Sequence, residues 1–238
     1  MVQDIEIIYQ DDDIIVVNKP SGIIVIPDQH TNKSKTLVGI VKKQVNQKIW
    51  VVQRKDKDTT GVLVFAKTAE SYRNISMQFE NSQVYKKYIA LLSGVLEKNE
   101  GTVNKPILIL GEGVSIDITG KESITKFKVL ERFKSYTLVE AMPLTCRRHQ
   151  IRVHFWSLGH PLAIDTEYGV SGPIMLSWLK RNYKVKKGED EKPLISRLTL
   201  HAQSLKLTLP SSGIEKIFEA PLPKDFKLTL KQLKKYAR

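Results

Sequence analysis

Residues 54–61, Arg-Lys-Asp-Lys-Asp-Thr-Thr-Gly, place two aspartates two positions apart among basic residues, directly before a turn-forming Thr-Thr-Gly. Apolar residues 50–52 precede the stretch and apolar residues 62–66 follow it, which predicts that one strand enters and another leaves. Nearby cations favour the ionised form of a carboxylate, which then suits a nucleophile or a base. The same residues also fit a solvated charged turn, so the stretch alone leaves both interpretations open.

Outward from this stretch the chain alternates short strands with a few helices. After a hairpin at Asp11-Asp12-Asp13, the patterns predict strands at residues 14–17, 84–92, 107–110, 124–130, 136–142, 198–209 and 217–220. They predict helices at residues 37–46, 69–79, 147–158, 173–183 and 225–236, the first capped by Thr36 and the second by Thr68. The middle of the chain is therefore expected to be rich in strands.

The composition predicts a folded protein with a polyanionic partner. Of 238 residues, 41% are hydrophobic and 26% are charged, an ordinary globular balance. The 38 Lys and Arg exceed the 25 Asp and Glu, giving a net charge of +13. Basic side chains that neutralise phosphates release counterions, so nucleic acid is the leading partner. A membrane surface is the weaker alternative, because no long apolar span is present.

The N-terminal residues and the cysteine content restrict the expected cellular location and the kinds of covalent or metal site. Residues 1–8 carry acids and no basic segment followed by an apolar one, so we expect no leader peptide and a cytoplasmic location. Cys146 is the single cysteine, which excludes an internal disulfide and any zinc site with several cysteines. No coiled-coil pattern appears, so we expect a monomer without a protein partner.

Two further clusters suit a nucleic-acid site. Alternation along residues 84–92 places Lys86 and Tyr88 on one face, where a ring stacks on a base and a lysine meets phosphate. In residues 147–154, Arg148 and Arg152 are spaced i and i+4 on the predicted helix, a pair that suits phosphate or Asp56. A core tyrosine with a solvated lysine, and a solvated basic helix face, remain the alternatives.

Five blocks in order resemble the RluA-type pseudouridine synthases. Residues 18–22 resemble N-K-P-x-G, residues 54–61 resemble R-L-D-x-x-T-S-G, and Tyr88 matches the tyrosine of K-x-Y-x-A. Residues 145–154, with 159–161 and 165–169, resemble T-G-R-T-H-Q-I-R-V-H, G-H-P and G-D-x-x-Y-G, and residues 197–205 resemble R-L-x-L-H-A-x-x-L. The resemblance extends from about residue 5 to residue 210.

This resemblance implies an α+β pseudouridine synthase fold, a mixed but mainly antiparallel sheet in two halves with a central active-site cleft. It implies one catalytic domain over residues 1–238, without an accessory RNA-binding domain ahead of it. The activity would be isomerisation of uridine to pseudouridine in ribosomal or transfer RNA, with no cofactor and no metal. The basic residues of the last helix would either help to bind RNA or form a solvated helix face: Lys224, Lys227, Lys231, Lys234, Lys235 and Arg238.

The resemblance also assigns roles to residues. Asp56 matches the catalytic aspartate, acting as a nucleophile or as a base that removes a sugar proton. Arg152 matches the arginine that ion-pairs with that aspartate, and Tyr88 matches the tyrosine that stacks on the uracil. The predicted substrate-binding residues are Arg54, Lys55, Lys86, Arg147, Arg148, His149, Gln150 and Leu200. Asp58 is assigned a structural role in the turn.

The chain departs from the family pattern at four positions. Gln53 stands where the family has His, Lys55 replaces Leu, Cys146 replaces Gly, and Arg148 replaces Thr or Ser. These departures leave room for a non-catalytic RNA-binding protein that keeps the fold. A carboxylate-based hydrolase would need a second, well-separated acid, which Asp58 does not supply.

Four histidines, at positions 149, 154, 160 and 201, also raise the possibility of a metal site. Their spacing lacks a zinc motif such as H-E-x-x-H, so we interpret them as core or hydrogen-bonding residues.

Overall fold

The computed structural model describes residues 4–28, 31–170, 172–185 and 188–237. The strands are β1 (Glu6–Gln10), β2 (Ile14–Lys19), β3 (Trp50–Val51), β4 (Thr60–Ala66), β5 (Tyr85–Ser93), β6 (Glu100–Asn104), β7 (Ile107–Leu110), β8 (Gly113–Ile116), β9 (Ile124–Arg132), β10 (Tyr136–Pro143), β11 (Leu200–Thr208) and β12 (Glu215–Glu219). The helices are α1 (Leu37–Gln44), α2 (Ala69–Glu80), α3 (Gln150–Trp156), α4 (Leu176–Leu179) and α5 (Lys224–Tyr236). The fold is α+β with mostly antiparallel strand pairs, which confirms the predicted class.

The chain forms two compact units. Unit 1 contains residues up to Tyr88 together with His201–Pro221, and unit 2 contains Ile89–Leu200 together with the residues after Pro221. The chain passes from one unit to the other within β5 and again at the start of β11. That these units form a single catalytic domain without an accessory domain stays a prediction.

The sheet of unit 1 is organised around β4. Strand β2 pairs antiparallel with β1 and β4, β3 pairs antiparallel with the end of β4, and β11 pairs parallel with its start. Side chains alternate between the two faces, as expected for strands. Ile15, Leu63 and Phe65 pack with α1 residues, whereas Ile14 and Val64 belong to a second core that includes Ile75 of α2. Both faces of β4 are therefore buried.

The two helices of unit 1 begin where the sequence predicts. The Thr36 hydroxyl accepts a hydrogen bond from the Gly39 amide at 3.2 Å, and the Thr68 hydroxyl accepts one from the Ser71 amide at 3.0 Å. Each bond satisfies an amide that the first helical turn leaves without a backbone partner. Both predicted caps are confirmed.

Unit 2 has its own paired strands and its own core. Its strands follow the order β5, β10, β9 and β6, and β7 and β8 form a separate hairpin. The apolar face of α5, formed by Phe226, Leu230 and Leu233, shares one core with Ile89 and Leu91 of β5. The lysines of α5 lie on the opposite, exposed side.

Two predicted helices of unit 2 are too long. The helix predicted at residues 147–158 is only α3, because His149 has a left-handed backbone with φ of 54° and the helix cannot extend back through it. The helix predicted at residues 173–183 is only the four-residue α4, since Met175 and Lys180 on either side of it have extended backbones. Ile174 forms a β-bridge with Ile195 instead.

Some expectations concern residues that the structure does not describe. These are residues 1–3 of the segment expected to carry no leader peptide, and Arg238 of the basic residues in the last helix. In the described ranges, none of the helices has the length and apolar character needed to cross a bilayer.

Candidate active site

The predicted catalytic aspartate lies in the loop between β3 and β4 of unit 1. The Thr59 amide donates to the Asp56 carbonyl at 3.2 Å, which closes a turn around Asp56 and leaves its side chain half-buried. The Asp58 carboxylate accepts hydrogen bonds from the Ser21 hydroxyl at 2.9 Å and the Gly22 amide at 3.1 Å. Asp58 therefore ties the loop to residues 21–22, which confirms its structural role.

A fully buried lysine supports the same loop. The Lys19 ammonium donates to the carbonyls of Pro20, Lys57 and Thr59 at 3.0, 2.6 and 3.1 Å. An ammonium has three N–H donors, so these three carbonyls match its capacity. Two of the carbonyls flank Asp58, and one of them lies directly after Asp56 in the chain. Lys19 thus fixes the backbone that carries the predicted catalytic aspartate.

The loop ends at a tight contact between two strands. Gly61 has φ of +107°, and a β-carbon there would lie 2.1 Å from the Ala202 carbonyl oxygen of β11. Glycine is the residue that tolerates both this backbone and this approach. Next to it, the Thr60 hydroxyl hydrogen-bonds His201 Nδ1 at 2.9 Å in a buried position. The exit from the loop is therefore rigidly held.

Tyr88 has a cationic neighbour in unit 1. The Lys55 ammonium donates to the Tyr88 hydroxyl at 2.7 Å and lies 4.6 Å from its ring centroid. Lys55 stands where the family pattern has leucine, so this pair is a property of this chain. Lys86 is only 5% exposed, with its ammonium 6.0 Å from the Phe79 ring centroid, and this burial disfavours the predicted contact with phosphate.

In unit 2, Arg152 is held by two acids. Its Nε and Nη2 donate to both oxygens of Asp165 at 2.7 Å, and Nη2 also donates to Glu167 at 2.9 Å. Burial opposes ionisation of Asp165, but the hydrogen bonds and charge of Arg152 outweigh it and lower the pKa of that carboxyl. A two-pronged bond of this kind fixes the plane of the guanidinium. Arg152 is thus ordered and charged.

Tyr168 connects this ion pair to its surroundings. Its ring lies 5.0 Å from the guanidinium carbon of Arg152, and its hydroxyl contacts His149 Nδ1 at 2.9 Å and the Val114 carbonyl at 3.3 Å. Burial and the nearby Glu167 carboxylate raise the pKa of Tyr168 to about 12. Tyr168 therefore stays neutral at physiological pH and can donate a hydrogen bond.

The basic cluster before α3 differs from the prediction. Arg148 precedes the helix and is exposed, with one long bond of 3.4 Å to the Gly111 carbonyl, so the predicted i, i+4 pair with Arg152 on one helical face is wrong. Arg147 is half-buried. The Gln150 amide accepts from Thr145 and Arg147 and donates to Ile124 and Thr125. These four bonds use its full capacity, which favours a structural role over the predicted substrate contact.

Other predicted residues are placed as follows. Arg54 is exposed, and Leu200, at the start of β11, is only 4% exposed. Gln53 is buried, and its amide nitrogen has no hydrogen-bond partner within the described part of the protein. Asp56 and Tyr88 belong to unit 1, whereas Arg152 belongs to unit 2. The ion pair predicted for Asp56 and Arg152 stays a prediction.

Lys19, Asp165 and Glu167 belong to motifs that resemble the family, but the sequence alone assigned no role to these three residues. The position of Lys19 at the end of the apolar strand β2 could have indicated its role. A lysine at such a position is buried only when hydrogen bonds satisfy its charge. The acids that hold Arg152 lie 13 and 15 residues away along the chain, where no local periodicity connects them.

The four histidines are engaged in hydrogen bonds, which confirms their interpretation. His154 contacts the Thr125 hydroxyl at 2.9 Å and the Lys105 carbonyl at 3.0 Å, and its burial lowers its pKa. His160 contacts the Ser93 carbonyl at 3.2 Å. Across the residues whose placement is described, no group of three or more His, Cys, Asp or Glu is arranged to hold a metal ion.

Comparison with known proteins identifies the family. A family profile described as RNA pseudouridylate synthase matches residues 13–157, which is more than half of the chain. The chain belongs to the RluA-type RNA pseudouridine synthases. The chain is 33% identical to ribosomal large subunit pseudouridine synthase D of Blochmanniella floridana, covering 98% of this chain and 74% of that one. It is 36% identical to synthase C of Escherichia coli (strain K12), covering 96% and 70%.

A solved structure is similar over the same extent. Human RNA pseudouridylate synthase domain containing 4 aligns with a TM-score of 0.72 and 26% identity, covering 96% of this chain and 93% of that one. The protein is thus an RNA pseudouridine synthase, which is an isomerase acting on RNA. The comparisons give no support to the alternative of a non-catalytic RNA-binding protein.

Proposed function

We propose that this pseudouridine synthase modifies uridine in the RNA of the large ribosomal subunit, with Asp56 as its catalytic residue. Relatives from several bacteria carry the large-subunit activity in their names, and they match nearly the whole of this chain. The excess of 13 positive charges suits a substrate as large and anionic as ribosomal RNA. We also propose that the protein acts as a monomer in the cytoplasm.

The reaction leaves the composition of the nucleotide unchanged. The bond between uracil N1 and the sugar C1′ breaks, the base turns, and C5 bonds to C1′. C5 then loses its proton, and N1 gains one. Asp56 acts either as the nucleophile that bonds C1′ or as the base that removes a sugar proton. Either role needs an ionised carboxylate, which the proposed pairing with Arg152 would maintain.

The organisation of the loop around Asp56 carries the proposal. Lys19 holds the backbone on both sides of Asp58, and Asp58 itself is occupied by Ser21 and Gly22. Of the two carboxylates in this loop, that of Asp58 therefore has a structural role, whereas Asp56 lies in a turn closed by a backbone hydrogen bond. Nearby in unit 1, Tyr88 offers a ring for stacking on the base, with Lys55 against its hydroxyl.

Substitution of the two aspartates tests this division of roles. With RNA carrying tritium at uridine C5, the wild type releases tritium as C5 loses its proton, and Asp56→Asn does not. Asp58→Asn is the matched control, because it changes the same functional group two residues away in the same loop. It should unfold more readily yet still release tritium. Release by Asp56→Asn at the rate of the wild type would refute the assignment.

Mapping of pseudouridines identifies the target. Total RNA from the source cell with and without the gene should differ at one or more uridines of the large ribosomal RNA. A difference confined to transfer RNA would replace the proposed substrate.

Lys55→Leu restores the residue of the family pattern and tests for a phosphate contact. If Lys55 binds phosphate, the salt dependence of RNA affinity should become shallower by about 0.7 to 0.9 in log–log slope. An unchanged slope would mean that Lys55 contacts Tyr88 and does not contact phosphate.

A further inference from the structure

A group of aromatic and basic side chains in unit 2, on α4, just after α4 and on α5, lies outside the predicted catalytic set. We call it the aromatic–lysine patch and define it by Trp178, Lys180, Tyr183, Lys235 and Tyr236. Trp178 is 62% exposed, the largest apolar side chain of α4. On the inner side of the same short helix, Leu176 and Leu179 pack against the core of unit 2. The helix is therefore anchored, with its tryptophan in solvent.

Lysines lie among the rings of this patch. The Lys180 ammonium is 5.8 Å from the ring centroids of both Tyr183 and Tyr236, and the Lys235 ammonium is 5.2 Å from that of Tyr236. Such cation–π contacts hold flexible ammonium groups beside aromatic faces. A single exposed tryptophan needs no explanation. Here, however, α4 packs against α5, and Lys180, two residues after Trp178 in the chain, places its ammonium beside two tyrosine rings.

The surrounding charge favours an anionic partner. Lys227 and Lys231 are exposed on the outer side of α5, while Lys234 is paired with Glu131 at 3.0 Å. Glu191 is the acid bound to α4, where its carboxylate accepts from the Ser177 amide at 2.8 Å. The excess of lysines disfavours a basic or apolar partner, and rings next to ammonium groups match bases next to phosphates.

We propose that the aromatic–lysine patch is a second RNA-binding surface, which stacks an unpaired base on Trp178 and binds the adjoining phosphates through Lys180 and Lys235. The inference rests on RNA being the substrate and adds a contact outside the catalytic residues. Bases stack on aromatic rings without strong sequence preference. The patch therefore adds affinity for single-stranded segments that flank the target, and it does not select the uridine.

RNA-binding measurements on the full chain test the proposal. The probe is a fluorescein-labelled oligouridylate of about twelve nucleotides, within the site sizes of single-strand binders, and fluorescence anisotropy gives the Kd. Trp178→Ala should weaken binding about tenfold without changing the salt slope, because stacking involves no counterion. Trp178→Phe should recover most of the affinity. Lys180→Gln with Lys235→Gln should weaken binding and make the salt slope shallower.

Matched controls separate the patch from general charge. Lys98→Gln removes an exposed lysine of unit 2 outside the patch and should leave the Kd unchanged. An unchanged Kd for Trp178→Ala, or an equal loss for Lys98→Gln, would overturn the proposal. So would Trp178-dependent binding to phosphatidylglycerol vesicles without any effect on RNA.

Activity measured in parallel keeps the two proposals distinct. If the patch binds substrate, Trp178→Ala raises the KM for tritium release about tenfold. A loss confined to kcat would contradict a binding role. Absence of tritium release by the wild type would refute the proposed reaction, while the anisotropy comparison would still decide the role of the patch.

Discussion

Replacement of Lys19 by methionine tests how the loop of Asp56 is held. Methionine keeps most of the side-chain volume but removes the donors to the carbonyls of Pro20, Lys57 and Thr59. Each buried carbonyl that loses its donor costs about 1 to 3 kcal/mol. Removal of the buried ammonium offsets part of this loss, because the folded protein no longer has to desolvate a charged group. We expect the free energy of unfolding to fall by about 3 kcal/mol, measured by urea denaturation.

The same change should slow the chemistry. The freed carbonyls will turn toward water and move the backbone next to Asp56. A displacement of about 1 Å at a reacting group can reduce the rate about 100-fold. We therefore expect kcat for tritium release to fall between about 10-fold and 100-fold, with a much smaller change in KM.

Lys67→Met provides the matched control. Lys67 is also a buried lysine of unit 1, and its ammonium donates to the Asp11 carbonyl near the opposite end of β4. This variant should lose about 1 kcal/mol of unfolding free energy and keep the kcat of the wild type. If Lys19→Met is destabilised but retains full kcat, or if both variants lose kcat equally, Lys19 does not position the loop.

Three further predictions concern other parts of the two units. Asp165→Asn removes one of the two acids that hold the buried Arg152 and should cost about 1.5 to 3 kcal/mol of unfolding free energy, and a loss below about 0.5 kcal/mol would contradict this. Gly61→Ala places a β-carbon 2.1 Å from the Ala202 carbonyl oxygen, so the unfolding free energy should fall by about 3 kcal/mol and Tm by calorimetry by about 6 to 12 °C. Burial lowers the pKa of His154 below 6.5, so the unfolded chain takes up a proton first as the pH falls. Unfolding free energy should therefore decline below about pH 6.5, and His154→Gln should remove that part of the curve.

Local chemistry made much of the fold predictable. Thr36 and Thr68 cap the first amide groups of their helices through contacts three residues along the chain, which a sequence displays directly. The strand before Asp56 and the buried strand after it follow from apolar runs on either side of a charged turn. Such features depend on residues that are close together in the chain, and a sequence shows these residues directly.

The errors arose where distant contacts decide the structure. The sequence around α3 predicts one long helix, but the left-handed backbone of His149 makes the helix begin only at Gln150, and the side chain of His149 bonds Tyr168. The family resemblance predicted a substrate contact for Gln150, yet its amide joins Thr145 to β9. Propensity cannot report such distant bonds, since Tyr168 lies 19 residues from His149 and Ile124 lies 26 residues from Gln150.

The parallel pairing of β11 with β4 has a consequence for the order in which the chain matures. His201 faces Thr60 across this pair, so the first residues of β4 receive this neighbour only after some 140 further residues have been made. Contacts so distant in sequence form slowly, and an N-terminal segment emerges from the ribosome first. We expect the nascent chain to carry Asp56 on an incomplete sheet until the C-terminal strands emerge. The catalytic loop would then be among the last parts of unit 1 to become ordered, so that the enzyme gains activity only after β11 has been synthesised and has paired with β4.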